Sequence, residues 1–389
     1  MGSFTKNRFR VFIISIGLIL SNHPLHAQAK EKTLHALNSL LINTVMDDIF
    51  NPVVSSRIYT YPNIAFYECI RQEDPAFPSL VGKLNGLTTL PVAEKGTDCF
   101  IAASIAFSQV GQALVGSEYK FEDWRKVFLD SVKNITDTVV FSKSVQYGKQ
   151  FATAIIAWLR EDNYGETRAM HRYTYSQKEG RWQPTPVDFA PALEPNWGYM
   201  RPLTLKSASQ FSPKEKLVYS RSKNSLFYKN VMEVYTIGNT LDSVKKAIAL
   251  YWDDNPNISV ERGHFNYFIH KISPAGHWVM IESQLVDVLD LKLDRSAMMY
   301  ALVGTALGDS FIAAWSQKYQ INLLRPVTYI NEYIDPQWES FIASPGFPEY
   351  PSGHSVVSGA AAEVLTGMFN TVAFTDNSKR RQGMEPRSY

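Results

Sequence analysis

Cysteine is scarce in this chain of 389 residues, and so is any excess of charge. The two cysteines, Cys69 and Cys99, cannot build a disulfide framework, and neither has the paired spacing of a zinc site. Basic and acidic residues number 39 and 37, so the formal net charge is +2. This balance gives no global reason to expect nucleic acid or an anionic surface as a partner. Low-complexity tracts, like-charge tails and fixed-period repeats are also missing.

Apolar and aromatic residues are plentiful instead. They make up 45% and 13% of the chain, which is the composition of a folded globular protein. A chain of this length forms one large domain or two ordinary ones, and either arrangement buries a sizeable core.

The N-terminus has the pattern of a targeting segment. Lys6, Arg8 and Arg10 form a basic region, residues 11–20 are mostly apolar, and Ala27 to Ala29 offer a small-residue cleavage site. The apolar run is shorter than the roughly 20 residues that a membrane span needs. The sequence therefore predicts a signal peptide over residues 1–29 and an exported protein, periplasmic or secreted.

Export leaves the state of the two cysteines open. An oxidising compartment permits a disulfide between Cys69 and Cys99. Each also lies in or beside an apolar helical pattern, where a buried free thiol is common. The sequence does not decide between the two states.

Helical periodicity dominates the mature chain. Apolar residues recur at three- and four-residue spacing, and this spacing predicts helices over 34–50, 53–69, 100–115, 119–132, 145–159, 226–235, 244–252, 278–291, 296–324 and 355–368. The alternation typical of strands is nearly absent. We predict an all-α, multi-helix bundle with an additional N-terminal helical layer, and no convincing membrane span after signal cleavage.

A long segment rich in proline and tryptophan, residues 164–212, separates two groups of predicted helices. Proline at this density prevents a continuous helix. A loop of this length is often a lid or a cleft wall. Aromatic residues interleaved with proline more often indicate a self-packed loop, which is the interpretation we favour.

Two cations near the C-terminus are candidates for binding an anion. Lys318 and Arg325 are seven residues apart, and Pro326 follows directly. If one helix ran to Arg325, two turns would bring both side chains to one face, roughly 10 Å apart along the axis. Lysine acts as a point charge and arginine as a planar fork, so the pair suits one oxyanion. Taken alone, two unrelated cations on a solvated helical face are the more common explanation.

The turn before the last predicted helix strengthens the anion hypothesis. Pro351, Ser352 and Gly353 form a small-residue turn that delivers His354 to the first turn of that helix. A helix start presents free backbone N–H groups to an anion. A histidine placed there can move a proton to or from a bound oxygen.

These two motifs, K-x6-R-P followed by P-S-G-H, resemble the first two motifs of the type 2 phosphatidic acid phosphatase and vanadium haloperoxidase superfamily. The resemblance implies the helical bundle of that superfamily over residues 241–389, after an N-terminal helical region at 30–240. It also implies oxyanion binding by Lys318, Arg325, Ser352 and Gly353, and acid–base catalysis by His354. Vanadate is the implied cofactor of a haloperoxidase, whereas a phosphatase needs none. The implied substrates are halide and peroxide, or a small phosphate ester.

The third motif of that superfamily, S-R-x3-G-x-H, is not found in these 389 residues. It supplies a further arginine and the histidine that attacks phosphorus or ligates vanadium. We therefore expect a bundle that is incomplete at its C-terminal end, with residues from about 375 onward unanchored. Two functions stay open: an exported phosphatase or haloperoxidase, and a catalytically inactive oxyanion-binding or structural protein. No metal site is indicated by any other cluster of residues.

Overall fold

The computed structural model describes residues 28–186, 189–255, 259–262, 265–268 and 271–389. This part of the chain forms twelve α-helices. In chain order they are α1 (Gln28–Asp47), α2 (Pro52–Ile70), α3 (Cys99–Gln112), α4 (Tyr119–Lys133), α5 (Thr138–Arg160), α6 (Tyr164–Ala169), α7 (Leu226–Asn239), α8 (Ser243–Tyr251), α9 (Pro274–Leu289), α10 (Leu293–Ile321), α11 (Pro326–Tyr333) and α12 (Gly353–Phe369). Nearly all of the predicted signal segment lies outside the described residues.

Short polar side chains begin several of these helices. The side chain of Asn51 accepts hydrogen bonds from the amides of Val53 and Val54 at the start of α2, and Pro52 occupies the first helical position. Asp98 and Asp137 cap α3 and α5 in the same way. Helices α2 and α3 begin within one residue of their predicted starts, whereas α5 begins seven residues before the predicted start at 145.

Helices α2 and α10 form the centre of the bundle. Every residue of α2 is buried, and the helix packs against α3, α5, α9 and α10. The close approach of α2 and α10 uses Gly304, where an added Cβ would lie 3.4 Å from the Cα of Thr60. The hydroxyl of Thr60 also donates to the Gly304 carbonyl at 2.6 Å. One hydrophobic cluster therefore joins helices from both halves of the chain.

Helix α10 is the one described helix that is long and apolar enough to cross a membrane by length and composition. Its most apolar stretch is 78% buried inside the protein. A central core helix meets the same criteria of length and composition, and the packing of α10 is that of a core helix.

The described part of the irregular segment 164–212 packs onto the bundle. Trp182 and Trp197 are fully buried. The backbone of Trp182 donates to the carbonyl of Asn322, and that of Leu324 donates to the carbonyl of Gly180. This segment therefore braces the turn that follows α10. The sequence did not predict α6, which begins the segment.

Both cysteines are buried free thiols. The Sγ of Cys69 lies 3.8 Å from the carbonyl oxygen of Cys99. Burial raises the pKa of both thiols, so neither has the thiolate character of a reactive cysteine.

The C-terminal segment is anchored, and our expectation of an unanchored tail is wrong. Strands β3 (Thr375–Asp376) and β4 (Arg387–Ser388) pair as a small antiparallel hairpin. The side chains of Asp376 and Lys379 are fully buried. The other two described strands, β1 (Ser259–Arg262) and β2 (Phe265–Phe268), also pair antiparallel. The tail is held because its charged side chains are neutralised inside the bundle, which its composition did not indicate.

Candidate functional site

A cavity of about 270 Å³ lies where the end of α10, the start of α12 and the loop after α8 meet. All five residues singled out from the motifs line it, together with aromatic and acidic side chains from three parts of the chain: the loop after α8, the middle of α10 and the loop before α12. The lining residues are Pro52, Trp252, Asp253, Asp254, Asn255, Pro274, Phe311, Trp315, Lys318, Arg325, Ile342, Ala343, Pro345, Phe347, Glu349, Ser352, Gly353 and His354.

Lys318 and Arg325 do not share a helical face, which corrects the expectation from their spacing. Helix α10 ends at Ile321 because Asn322 adopts a left-handed conformation, with φ at 52°. Arg325 lies beyond this turn as the N-cap residue of α11, and Pro326 opens that helix instead of ending the previous one. The two cations meet because the chain turns after α10.

Three consecutive carbonyl groups orient the two cations. The carbonyl of Phe347 accepts from Nε of Arg325 at 2.8 Å. The carbonyls of Pro348 and Glu349 accept from Nζ of Lys318 at 2.9 and 3.0 Å. The Phe347 ring also contacts both cations, 4.8 Å from Nζ of Lys318 and 4.7 Å from the guanidinium carbon of Arg325. Both charged groups are thus held in place before any anion arrives.

The cations retain unused capacity for an anion. Nη1 of Arg325 pairs with Glu349 at 2.7 Å, whereas Nη2 is buried and has no hydrogen-bond partner among the described residues. Lys318 is 1% exposed. Burial lowers the pKa of Lys318 well below its ordinary value, and the neighbouring charge of Arg325 lowers it further. An anion in the cavity would relieve both of these costs.

The start of α12 adds neutral donors to the cavity. Ser352 caps the helix, and its hydroxyl oxygen accepts from the amide of Ser355 at 3.2 Å. The first N–H groups of a helix have no partner within the helix, and they carry the positive end of its dipole. Gly353 and His354 occupy these positions beside the two cations, so their amides face an anion-binding environment.

His354 is half-exposed at the cavity wall. Its Nε2 lies 4.0 Å from Oδ2 of Asp254. Surrounding protein lowers the pKa of His354 by desolvation, although the charge of Asp254 acts in the opposite direction. A histidine in this position has the chemistry to accept or donate a proton at an oxygen bound beside it. Of the described residues that line the cavity, it is the only histidine.

A buried charged network lies behind His354 and was not expected from the sequence. Nδ1 of His277 is 2.9 Å from Asp254, and its Nε2 is 2.8 Å from Asp376. Lys379 forms an ion pair with Asp254 on the other side. Burial raises the pKa of Asp254, but the hydrogen bond and charge of His277 outweigh it, so the pKa is lowered overall. The network presents an ionised Asp254 to His354.

Aromatic rings close the other side of the cavity. The rings of Trp315 and Phe347 pack with their centres 4.9 Å apart, and Phe311 contacts Trp315 at 5.3 Å. The Trp315 indole N–H donates to the carbonyl of Leu193, which belongs to the irregular segment. This wall lowers the local polarity, so charge–charge interactions within the cavity are stronger than in water.

The donor set fits a tetrahedral oxyanion such as vanadate or phosphate. It offers a buried ammonium, a guanidinium with a buried unpartnered nitrogen, and the amides at the start of α12. Glu349 could have been found from the sequence, because it lies only three residues before Ser352 of the second motif. Asp254 and His277 could not be found in this way, because they are brought to the site from distant parts of the chain. Trp315 lies three residues before Lys318 on α10, a spacing that places two side chains on one side of a helix.

Comparisons with known proteins agree with this geometry. A family profile described as the VCPO second helical-bundle domain matches residues 298–388. A vanadium chloroperoxidase from Curvularia inaequalis is 29% identical over 143 residues, which are 32% of this chain and 22% of that protein. The chain therefore matches less than a quarter of the length of this curated relative.

Solved structures resemble almost the whole chain. The crystal structure of a bacterial vanadium-dependent iodoperoxidase has a TM-score of 0.85 and 36% sequence identity, over 92% of this chain and 86% of that chain. A holo-type bacterial vanadium-dependent chloroperoxidase has a TM-score of 0.59 and 15% identity, which shows the fold alone. These similarities confirm the predicted all-α bundle. The chain belongs to the vanadium-dependent haloperoxidases of the type 2 phosphatidic acid phosphatase superfamily.

Proposed function

We propose that the cavity binds vanadate and serves the oxidation of halide by peroxide. Haloperoxidase-type function follows from the family. The bacterial iodoperoxidase resembles this chain over 86% of its own length. Vanadate, when bound in such a site, supplies a Lewis-acidic centre that activates peroxide. The proposal also includes export to the periplasm or the medium, which rests on the sequence pattern of residues 1–29.

Each residue of the chain has a distinct task in this proposal. Lys318 and Arg325 would hold oxygens of the anion, and Ser352 with the amides of Gly353 and His354 would complete its binding site. The His354 imidazole moves a proton to or from a bound oxygen, and Asp254 favours its protonated form. Trp315 and Phe347 keep water away from the anion.

One observation carries the proposal more than any other. A guanidinium nitrogen of Arg325 is buried without a partner in the same cavity as a buried ammonium. Burying a charged group is costly because it loses its hydration, and Glu349 satisfies only Nη1 of Arg325. The arrangement is therefore best explained as one half of an anion site.

A specific observation also favours a second candidate function. His354 is the only histidine among the described residues lining the cavity, and the third superfamily motif is missing from the printed sequence. A covalent nucleophile or vanadate ligand of the expected kind is thus not at hand. We propose as the alternative a catalytically inactive protein that binds vanadate or phosphate without turnover.

One experiment separates the candidates. Purified protein is titrated with vanadate and with phosphate by calorimetry, and is then assayed for bromide and iodide oxidation with vanadate and peroxide and for hydrolysis of a generic phosphomonoester. Anion binding with halide oxidation at an ordinary enzyme rate, about 1–10³ per second, supports the haloperoxidase. Anion binding with negligible turnover supports the inactive oxyanion-binding protein. Absence of anion binding would overturn both.

A further inference from the structure

Glu349 places a negative charge inside a cavity that we propose to bind anions. Its Oε2 accepts a hydrogen bond from Nη1 of Arg325 at 2.7 Å, and its side chain lines the cavity with 36% of its surface exposed. The neighbouring Nη2 of the same guanidinium is the buried nitrogen without a partner. An anion held by Nη2 would therefore lie beside a carboxylate.

The other acids of the cavity are already committed elsewhere. Asp253 is paired with Lys271, and Asp254 with His277 and Lys379. Oε1 of Glu349, in contrast, makes no hydrogen bond within the described part of the chain, and the carboxylate has capacity to accept one more. An ionised carboxylate only accepts hydrogen bonds, so its next partner must be a donor.

This geometry distinguishes between oxyanions by their protonation. An oxyanion that carries a proton can donate an O–H to Glu349, and such O–H to carboxylate bonds are short and strong. An oxyanion without a proton meets the carboxylate as a like charge, and a partly buried site screens this repulsion less than water does. Inorganic phosphate is a triprotic acid that still carries at least one proton at pH 7, because only its third ionisation removes the last one, and vanadate behaves in the same way. Sulfate carries none.

We propose that Glu349 is the specificity-determining residue that selects protonated oxyanions, phosphate and vanadate, and rejects fully ionised ones such as sulfate. This inference rests on the proposed oxyanion-binding function of the cavity. It assigns Glu349 a role in addition to orienting Arg325.

The test compares phosphate with sulfate by calorimetry at pH 7, using the unmodified 389-residue protein. We expect phosphate to bind at least about tenfold more tightly than sulfate. Sulfate and the Glu349 carboxylate repel each other as like charges, and only part of this repulsion is needed for a tenfold difference in affinity. In Glu349→Gln, the amide oxygen can still accept from Arg325 and the amide nitrogen can donate to sulfate. We expect sulfate affinity to rise about tenfold in this variant and the preference for phosphate to vanish.

Two further variants complete the design. Glu349→Asp retains the carboxylate and is expected to retain a preference for phosphate. Glu179→Gln removes a carboxylate from a surface ion pair with Arg221, outside the cavity, and is expected to behave as the unmodified protein. Circular dichroism checks that each variant is folded.

The outcomes are separable. If the unmodified protein binds sulfate as tightly as phosphate, the proposed role of Glu349 is wrong, and this result needs no variant. The proposed oxyanion site would still be supported. The same conclusion follows if Glu349→Gln is folded and keeps the preference for phosphate. Failure of the unmodified protein to bind either anion overturns the proposed function and this inference together.

Discussion

Nε2 of His277 lies 2.8 Å from Oδ2 of Asp376, and this contact joins the start of α9 to the C-terminal hairpin. The opposite ring nitrogen lies 2.9 Å from Asp254, and all three side chains are buried. Lys379 pairs with Asp254, so the network balances two acids with two bases. The hydroxyl of Tyr251 donates to the carbonyl of Asp376 and closes the network on its outer side.

This network predicts a pH-dependent contribution of His277 to stability. Burial alone would lower the pKa of His277, but hydrogen bonds to Asp254 and Asp376 raise it to about 9. Since the folded pKa exceeds the ordinary value of 6.5, the stabilisation is fully present below about pH 6.5 and is lost as pH rises through about 9. We expect His277→Gln to lower the free energy of unfolding by about 3 kcal/mol at pH 6.5.

Urea unfolding of the unmodified protein and His277→Gln at pH 6.5, 8 and 10 measures this difference. The difference in free energy of unfolding between the unmodified protein and His277→Gln should be smallest at pH 10. His171→Gln, at an exposed position, serves as the control and should change little. A gap that is constant across the three pH values would contradict the assignment of a charged His277.

Replacing the two motif cations should weaken oxyanion binding. Arg325→Lys keeps the charge but loses the fork that contacts Phe347 and Glu349 together. We expect at least about a tenfold loss of phosphate and vanadate affinity, and a larger loss in Lys318→Met. Calorimetric titration measures both.

Arg221→Lys is the matched control, since Arg221 pairs with Glu179 on the surface. It should leave the affinity unchanged. Wild-type affinity in a folded Arg325→Lys or Lys318→Met variant would show that the anion binds elsewhere.

Oxyanion binding should be coupled to proton uptake by Lys318. Burial, followed by the charge of Arg325, holds the pKa of Lys318 well below its ordinary value. A bound anion favours the charged ammonium and therefore raises this pKa. We expect the unmodified protein to take up more protons per bound phosphate than Lys318→Met does, and the difference should be at most about one proton.

Calorimetry in two buffers of different ionisation enthalpy at pH 8 reports the number of protons. Because phosphate itself titrates, the comparison is made between the protein and its variant under identical conditions. Equal proton uptake by the two proteins would show that Lys318 is already charged before the anion binds, and would contradict this prediction.

Export predicts a defined start of the mature protein. Residues 1–29 combine a basic region, a short apolar core and the small residues around Ala27 and Ala29. We expect the exported protein to begin near Lys30. N-terminal sequencing of protein recovered from the periplasm or the medium checks this, and a chain that still begins at Met1 would refute the prediction.

The sequence alone was sufficient for most of the helices, with α6 and α11 as the exceptions, and for the residues of the two motifs. Helical periodicity is a local property, so the predicted helices at 53–69 and 119–132 match α2 and α4 to within one or two residues. The turn before α12 is likewise local, because Ser352 caps the helix that it precedes. The resemblance to the haloperoxidase superfamily depended on these local motifs, and the family comparison confirmed it.

Only the tertiary structure decided how the site is assembled. The left-handed Asn322 ends α10 early, so Lys318 and Arg325 meet through the carbonyls of residues 347–349 instead of along one helix. His277 and Asp376 are 99 residues apart, and no periodicity or motif relates them. Their contact depends on burying opposite charges together, which lowers the free energy only after the helices have packed. Local sequence signals determine where helices begin and end, whereas the charge balance of a buried site depends on the whole fold.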